Sequence, residues 1–304
     1  MNLPARLAAA TAAAGAAGLA YAYAESRWFV LRQASVPVLP PGSRPLRVLH
    51  VTDLHLTPKQ QRKHDWLRRL AVLDPDLVVS TGDNLASMKA VPHVLSAYGE
   101  LLDVPGVFVF GSNDYFAPTL RNPFAYLGPD TGIRNIRSPK LPWPELRDGF
   151  LARGWVDLTN RKETLKVGEL EIAFAGVDDP HLKYDDLAAV AGPAQAAADL
   201  RIGVTHAPYL RVLDQYAADG YDLTIAGHTH GGQVCLPVKG AIVTNCDLEP
   251  ARAKGLHRHP ADSRPGDPGS NWMHVSAGLG TSPYSQVRFC CRPEATLLTL
   301  DPIS

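Results

Sequence analysis

The chain lacks an excess of charge of either sign: 30 lysines and arginines balance 30 aspartates and glutamates over 304 residues. Without a basic surplus or a clear basic stretch, the electrostatic attraction that drives nucleic-acid binding has no obvious source, which argues against such a partner. Cysteine is scarce as well. Cys235, Cys246, Cys290 and Cys291 show no CxxC spacing. They are too few for a disulfide scaffold and read as mostly buried thiols rather than metal ligands. No twin-arginine pair precedes the first apolar run. What remains is an ordinary composition, 45% hydrophobic and 20% charged, with enough chain for a large core.

One run near the N-terminus stands apart. Leu7 to Ala24 carries no charge and is dominated by alanine. It is long enough to span a membrane, although alanine adds little hydrophobicity. Ala22-Tyr23-Ala24 has the small-x-small form of a secretory cleavage site. Residues 1–24 are therefore expected to be a hydrophobic anchor or a signal segment, with a soluble alanine-rich helix as the bland reading. The protein would then be membrane-associated through residues 7–24, or exported. Arg27 and Arg32 follow the run as Arg6 precedes it, so charge gives no orientation. Residues 25–45 include VPVLPPGSRP and predict a proline-rich linker, leaving 46–304 as one globular domain.

Within that domain, apolar strands repeatedly end in polar tips. Leu46–Val51 runs into Thr52-Asp53-Leu54-His55, Asp76–Ser80 into Thr81-Gly82-Asp83-Asn84, and Gly106–Phe110 into Gly111-Ser112-Asn113-Asp114. Helical spacing over Gln61–Leu73 and Val91–Leu102 separates them. A second half repeats the order, with Glu169–Ala175 ending at Asp178, Asp179 and His181, a helical stretch over Tyr184–Ala198, then Leu200–Val204 ending at His206. Leu223–Ala226 ends at Gly227-His228-Thr229-His230-Gly231-Gly232. Alternating strands and helices imply parallel strands whose carboxyl ends gather ligand groups. Singly, such an Asp caps a helix and such a His is a solvated loop residue. Jointly the tips place oxygen and imidazole donors at one edge. Tyr115–Trp155, with Arg134, Arg137 and Lys140 among many prolines, reads as a surface insertion that shapes an entrance, either as a cationic lip or as plain solvated surface. Ala251–Ser270 reads as irregular.

In order and spacing, Asp53-x-His55, Gly82-Asp83, Gly111-Ser112-Asn113-Asp114, His206 and Gly227-His228-x-His230 resemble the blocks of the calcineurin-like metallophosphoesterases. Gly231-Gly232-Gln233 and Gly278–Ser282 look most like the membrane-associated bacterial branch typified by YkuE and YaeI. The resemblance implies a four-layer α/β/β/α sandwich with a dimetal site at the strand C-terminal edge. It implies two divalent ions, Mn, Fe or Zn, with Asp53, His55 and His230 on the first, His206 and His228 on the second, and Asp83 bridging both. Hydroxide between the ions would be the nucleophile, on a phosphomonoester or phosphodiester that the branch suggests is lipid-linked or part of the cell envelope.

The third block departs from the family's Gly-Asn-His. In direct register Ser112 replaces the ligand asparagine and Asn113 the histidine. A slip of one residue lets Asn113 supply the amide oxygen, the favoured reading because a neutral hydroxyl is a weak ligand. Asp83, Asn113 and Asp114 are the catalytic candidates. With the usual histidine missing, the leaving group needs another proton donor, His181 or a water. Two other readings compete: a metal-binding pseudoenzyme or interaction protein, and a nucleotide or nucleic-acid phosphodiesterase.

Overall fold

The computed structural model describes residues 3–120 and 136–303. Its first element is helix α1 (Leu3–Glu25), exposed along nearly its whole length. By length and composition it could cross a membrane, with a mean hydropathy of 1.3.

Two six-stranded sheets follow. The first has β1 (Val30–Leu39), β2 (Leu46–Val51), β3 (Leu77–Ser80), β4 (Gly106–Phe108), β5 (Val156–Asp157) and β14 (Glu294–Pro302), in the order β1-β14-β2-β3-β4-β5. The second has β6 (Arg161–Val167), β7 (Leu170–Gly176), β8 (Leu200–Val204), β9 (Leu223–Ala226), β12 (Gly255–His259) and β13 (Asn271–Val275), in the order β12-β13-β9-β8-β7-β6. A two-residue pair, β10 (Cys235–Leu236) and β11 (Gly240–Ala241), forms a separate hairpin.

The sheets meet through one apolar layer. Val48, Val79, Val107 and Leu298 of the first face Phe174, Ile202, Val204 and Ile225 of the second. Helices α2 (Gln61–Arg68), α3 (Val91–Tyr98) and α5 (Trp143–Leu151) cover the outside of the first sheet through Leu67, Val94 and Phe150. Helix α7 (Leu210–Ala218) covers the second with Val212, Leu213 and Tyr216. This is the expected α/β/β/α sandwich. Because β2-β3-β4 and β7-β8-β9-β13 are each parallel, their carboxyl ends emerge at one edge.

Three expectations need correction. The proposed linker contains an edge strand: β1 lies parallel to β14 from Val30 to Leu39, with Val36 and Leu39 fully buried. An edge position tolerates prolines, whose missing N–H can face away from the ladder, and the register shifts just after Pro37. The stretch Tyr184–Ala198 yields only a short helix α6 (Leu187–Val190), since Gly192 takes a positive φ of 95° and Pro193 follows. Ala251–Ser270 is not wholly irregular, because β12 pairs antiparallel with β13. In the insertion, Pro123, Pro129 and Arg134 fall outside the described residues.

Candidate metal centre

The strand tips keep pairing after the strands end. Asp53 N–H donates to Gly82 O at 2.9 Å, and His55 N–H to Asp83 O at 2.9 Å. The backbone then turns by visiting the left-handed region: φ is 51° at Asp53, 40° at His55, 55° at Asp83, 69° at His228 and 50° at His230. Non-glycine residues rarely accept that conformation, and here it collects on candidate ligands. The glycines serve close approach. A Cβ on Gly227 would sit 2.2 Å from Thr52 Oγ1 and 2.6 Å from Asp53 Oδ2, and one on Gly111 would sit 2.3 Å from Asp83 Oδ1.

Two overlapping triads result. Ligand atoms of Asp53, His55 and His230 lie within 4.8 Å of one another, as do those of Asp53, Asp83 and His206. His55 Nε2 faces His230 Nε2 at 3.2 Å. Asp83 Oδ2 stands 3.5 Å from His55 Nε2 and 3.6 Å from His206 Nε2, between the groups. Neighbouring carbonyls set the tautomers. His206 Nδ1–H donates to Thr81 O at 2.7 Å, which turns Nε2 toward Asp83. His230 Nδ1 lies 3.1 Å from Gly280 O. His228 and Asn113 stand beside the triads rather than in them. His228 Nε2 donates to Asn245 O at 3.1 Å, and its backbone N–H donates to Asp53 Oδ2 at 3.0 Å.

Burial dominates the electrostatics. It pushes Asp53 up to about 6, helped by Asp83 and opposed by His206. It lowers His55 to about 4 and holds His230 well below the usual imidazole range, with His55 and Arg288 adding to the effect on His230. Burial would also lower His206, but Asp83, Asp53 and Asp179 outweigh it and raise the imidazole to about 9. For Asp83, burial is overcome by His206, His55 and two bonds from Asn113, which hold the carboxyl below its ordinary value.

The donor set fits a divalent ion. Among the described residues, Asp53 Oδ1 and His206 Nε2 are buried and have no hydrogen-bond partner. Leaving such atoms unpaired is costly unless a cation takes their lone pairs. Carboxylate oxygen with imidazole nitrogen, and no thiolate, suits borderline metals.

The third block, on the short helix α4 (Ser112–Tyr115), lies against this centre. Asn113 donates to Asp83 twice, from its backbone N–H to Oδ1 and from its Nδ2 to Oδ2, both at 2.7 Å. Ser112 Oγ is 3.5 Å from that Nδ2. Asp114 sits behind the site. It is fully buried and accepts from the N–H groups of Asp83, Asn84, Leu85 and Gly111 at 2.8 to 3.2 Å. That makes it a residue that shapes the Asp83 loop rather than one facing the reacting atoms.

Two residues gain importance from the structure. His181 packs beside His228, with ring centroids 4.6 Å apart, and its Nδ1 lies 3.2 Å from Tyr209 Oη. Arg288 is completely buried and donates through Nη2 to Ala277 O at 2.6 Å and Gly280 O at 2.7 Å, bracing the loop around His230. Nothing in its local sequence separates it from a surface arginine. A cavity of about 300 Å³ opens over the centre, and His55, Asp83, Asn113 and His181 line it. Phe116, Pro118, Leu182, Val234, Ile242 and Val287 give it apolar walls. Neither Arg137 nor Lys140 lines it.

Residues 46–232 match the family model described as calcineurin-like phosphoesterase. YpbG of Bacillus subtilis is 28% identical over 238 residues, covering 77% of this chain and 80% of that one. The metallophosphoesterase YkoQ of the same organism is 24% identical, covering 84% of each. The UDP-2,3-diacylglucosamine pyrophosphatase LpxG of Chlamydia trachomatis is 26% identical, covering 83% of each.

Proposed function

The chain belongs to the calcineurin-like phosphoesterase family, hydrolases acting on ester bonds, and from that premise we propose that it hydrolyses a lipid-linked phosphoester at a centre of two divalent cations. The observation that carries this reading is the overlap of the two triads: Asp53 belongs to both, and Asp83 Oδ2 stands between an imidazole of each, 3.5 Å from His55 Nε2 and 3.6 Å from His206 Nε2. Asp53, His55 and His230 would hold one cation, and His206, His228 and Asn113 the other. When bound, such a pair supplies Lewis acidity toward a phosphoryl oxygen and lowers the pKa of water. Everything else falls to the chain. Asp114 fixes the loop that presents Asp83, and Asn113 fixes its carboxylate. His181 stands within the cavity where it can give a proton to the departing oxygen, the role left open by the altered third block. The lipid assignment rests on the apolar cavity walls and on the similarity to a pyrophosphatase named for a diacylated substrate.

The test is to strip metal from the full chain, restore Mn, Fe or Zn singly, and follow hydrolysis of activated aryl phosphate mono- and diesters. Metal-restored turnover supports the enzyme. Stoichiometric metal binding with no turnover on either ester would point to a pseudoenzyme instead. An acylated pyrophosphate should then be turned over faster than its deacylated head group, and the reverse preference would remove the lipid.

A further inference from the structure

The hairpin beside the cavity is unusually apolar for a free surface. Val234, Leu236, Val238 and Ile242 are all exposed, and Val238 projects fully into solvent at the tip. Its φ of 69° is a conformation that β-branched residues avoid, so neither solvation nor backbone preference accounts for a valine there. Lys239 follows it, also exposed. Val234 and Ile242, at the hairpin's base, line one wall of the cavity.

The same hairpin is tied to α1 through one loop. Cys235 N–H donates to Phe289 O at 2.8 Å, and Phe289 N–H to Gln233 O at 3.0 Å. The Phe289 ring packs on Tyr21 of α1 at 5.6 Å. Glu25, at the end of α1, accepts from the N–H groups of Cys290 at 3.0 Å and Cys291 at 2.8 Å, and Arg288 N–H donates to Ala22 O at 2.9 Å. The last turn of α1 and its exit carry exposed Tyr21, Tyr23 and Trp28, with the Arg27 guanidinium 3.4 Å from the Tyr23 ring centre. Aromatic rings with a basic residue at the end of an apolar helix mark the level of a membrane–water interface. Exposed Tyr284 lies on the connecting loop.

We propose that the β10–β11 hairpin is a second, shallow membrane contact that places Leu236 and Val238 among the acyl chains of the bilayer that receives α1. The occupant is a lipid surface rather than a protein because the patch is continuous with a helix apolar enough to span one, and because Lys239 at the tip suits anionic head groups. The cavity mouth then opens at head-group level, so a lipid's phosphate can reach the metal centre while its acyl chains stay in the membrane. The docking itself needs no catalysis, so its test is independent of the phosphoesterase reading.

The full chain is reconstituted in vesicles of phosphatidylethanolamine and phosphatidylglycerol, with a polarity-sensitive fluorophore on Val238→Cys in a Cys290→Ser background. A second protein carries the label on Lys166→Cys, at the opposite end of the second sheet. Both labelled positions are exposed, so folding is preserved. The expected result is a blue shift at position 238 and quenching by nitroxide-bearing lipids several-fold stronger than at position 166. Adding Leu236→Asp should weaken that quenching. Equal, water-like emission at both positions overturns the proposal. So does a blue shift that grows with protein concentration and resists nitroxide lipids, which would assign the patch to a second copy of the chain.

Discussion

Among the described residues, two pairs of imidazoles link the sheets, and only one belongs to the candidate metal centre. At the edge, His55 and His230 face each other through Nε2 atoms at 3.2 Å, their rings stacked at 5.0 Å. Deeper, His50 of β2 and His274 of β13 meet through Nδ1 atoms at 3.1 Å in a T-shaped contact at 5.2 Å. Burial lowers the pKa of all four. Their surroundings differ. The inner pair is closed by the Thr81 hydroxyl, 2.9 Å from His50 Nε2. The outer pair has Asp83 Oδ2 at 3.5 Å from His55 and Asp53 Oδ1 at 3.6 Å from His230. Two neutral imidazoles can satisfy one another, whereas adding carboxylates makes a cavity of negative charge that a cation completes.

The comparison breaks most severely if the shared carboxylate is removed. Asp83→Asn should lower kcat by about a thousandfold or more, since it removes a carboxylate of the second triad that also faces His55 of the first, and should reduce bound metal measured by elemental analysis. A variant that kept full metal content and turnover would refute the shared role. His181→Gln comes next and acts on the chemistry rather than the metal. Turnover of an alkyl phosphate, whose leaving group needs a proton, should fall about a hundredfold, while an activated aryl phosphate loses little. Equal losses on both esters would reduce His181 to packing.

A smaller effect tests the close approach behind the outer pair. Gly227→Ala puts a methyl 2.2 Å from Thr52 Oγ1 and 2.6 Å from Asp53 Oδ2, so Asp53 must shift. Metal affinity should drop about tenfold, consistent with the usual cost of disturbing the support of a ligand. Calorimetric titration of the metal-free protein reads this directly, and unchanged affinity would mean the loop yields freely.

Much of the outer site was legible in the sequence, and the reason is physical. Short apolar strands that end in Asp-x-His, Gly-Asp and Gly-His-x-His announce both the sheet and its functional edge, because a parallel sheet brings its carboxyl ends together. The β1 strand was obscured by Pro37, Pro40 and Pro41, which an edge position accepts. Arg288 and His274 were invisible because their importance comes from partners distant in sequence: the His230 carbonyl for one, His50 for the other. Asp114 looked catalytic from its place in a motif. Only the four backbone donors around it reveal a scaffold role.

The smallest effect on activity, and the sharpest separation of the two pairs, comes from replacing the inner one. His50→Leu with His274→Leu should leave metal content and kcat nearly unchanged, because neither imidazole touches the triads. Its signature is in acid. His274 has its pKa lowered to about 3, and His50 is also held well below the usual 6.5, in both cases mainly by burial. Below pH 6.5 the unfolded chain therefore binds protons that the folded chain refuses. Stability present above pH 6.5 is lost as pH falls toward the folded values, at up to about 1.4 kcal/mol per pH unit for each histidine. Denaturant titrations of metal-free parent and double variant at pH 7 and pH 5 should differ in their acid loss by about 2 kcal/mol from His274, with His50 adding in the same direction. If both proteins lose stability equally, the inner pair is already protonated in the fold, and its contrast with the outer pair disappears.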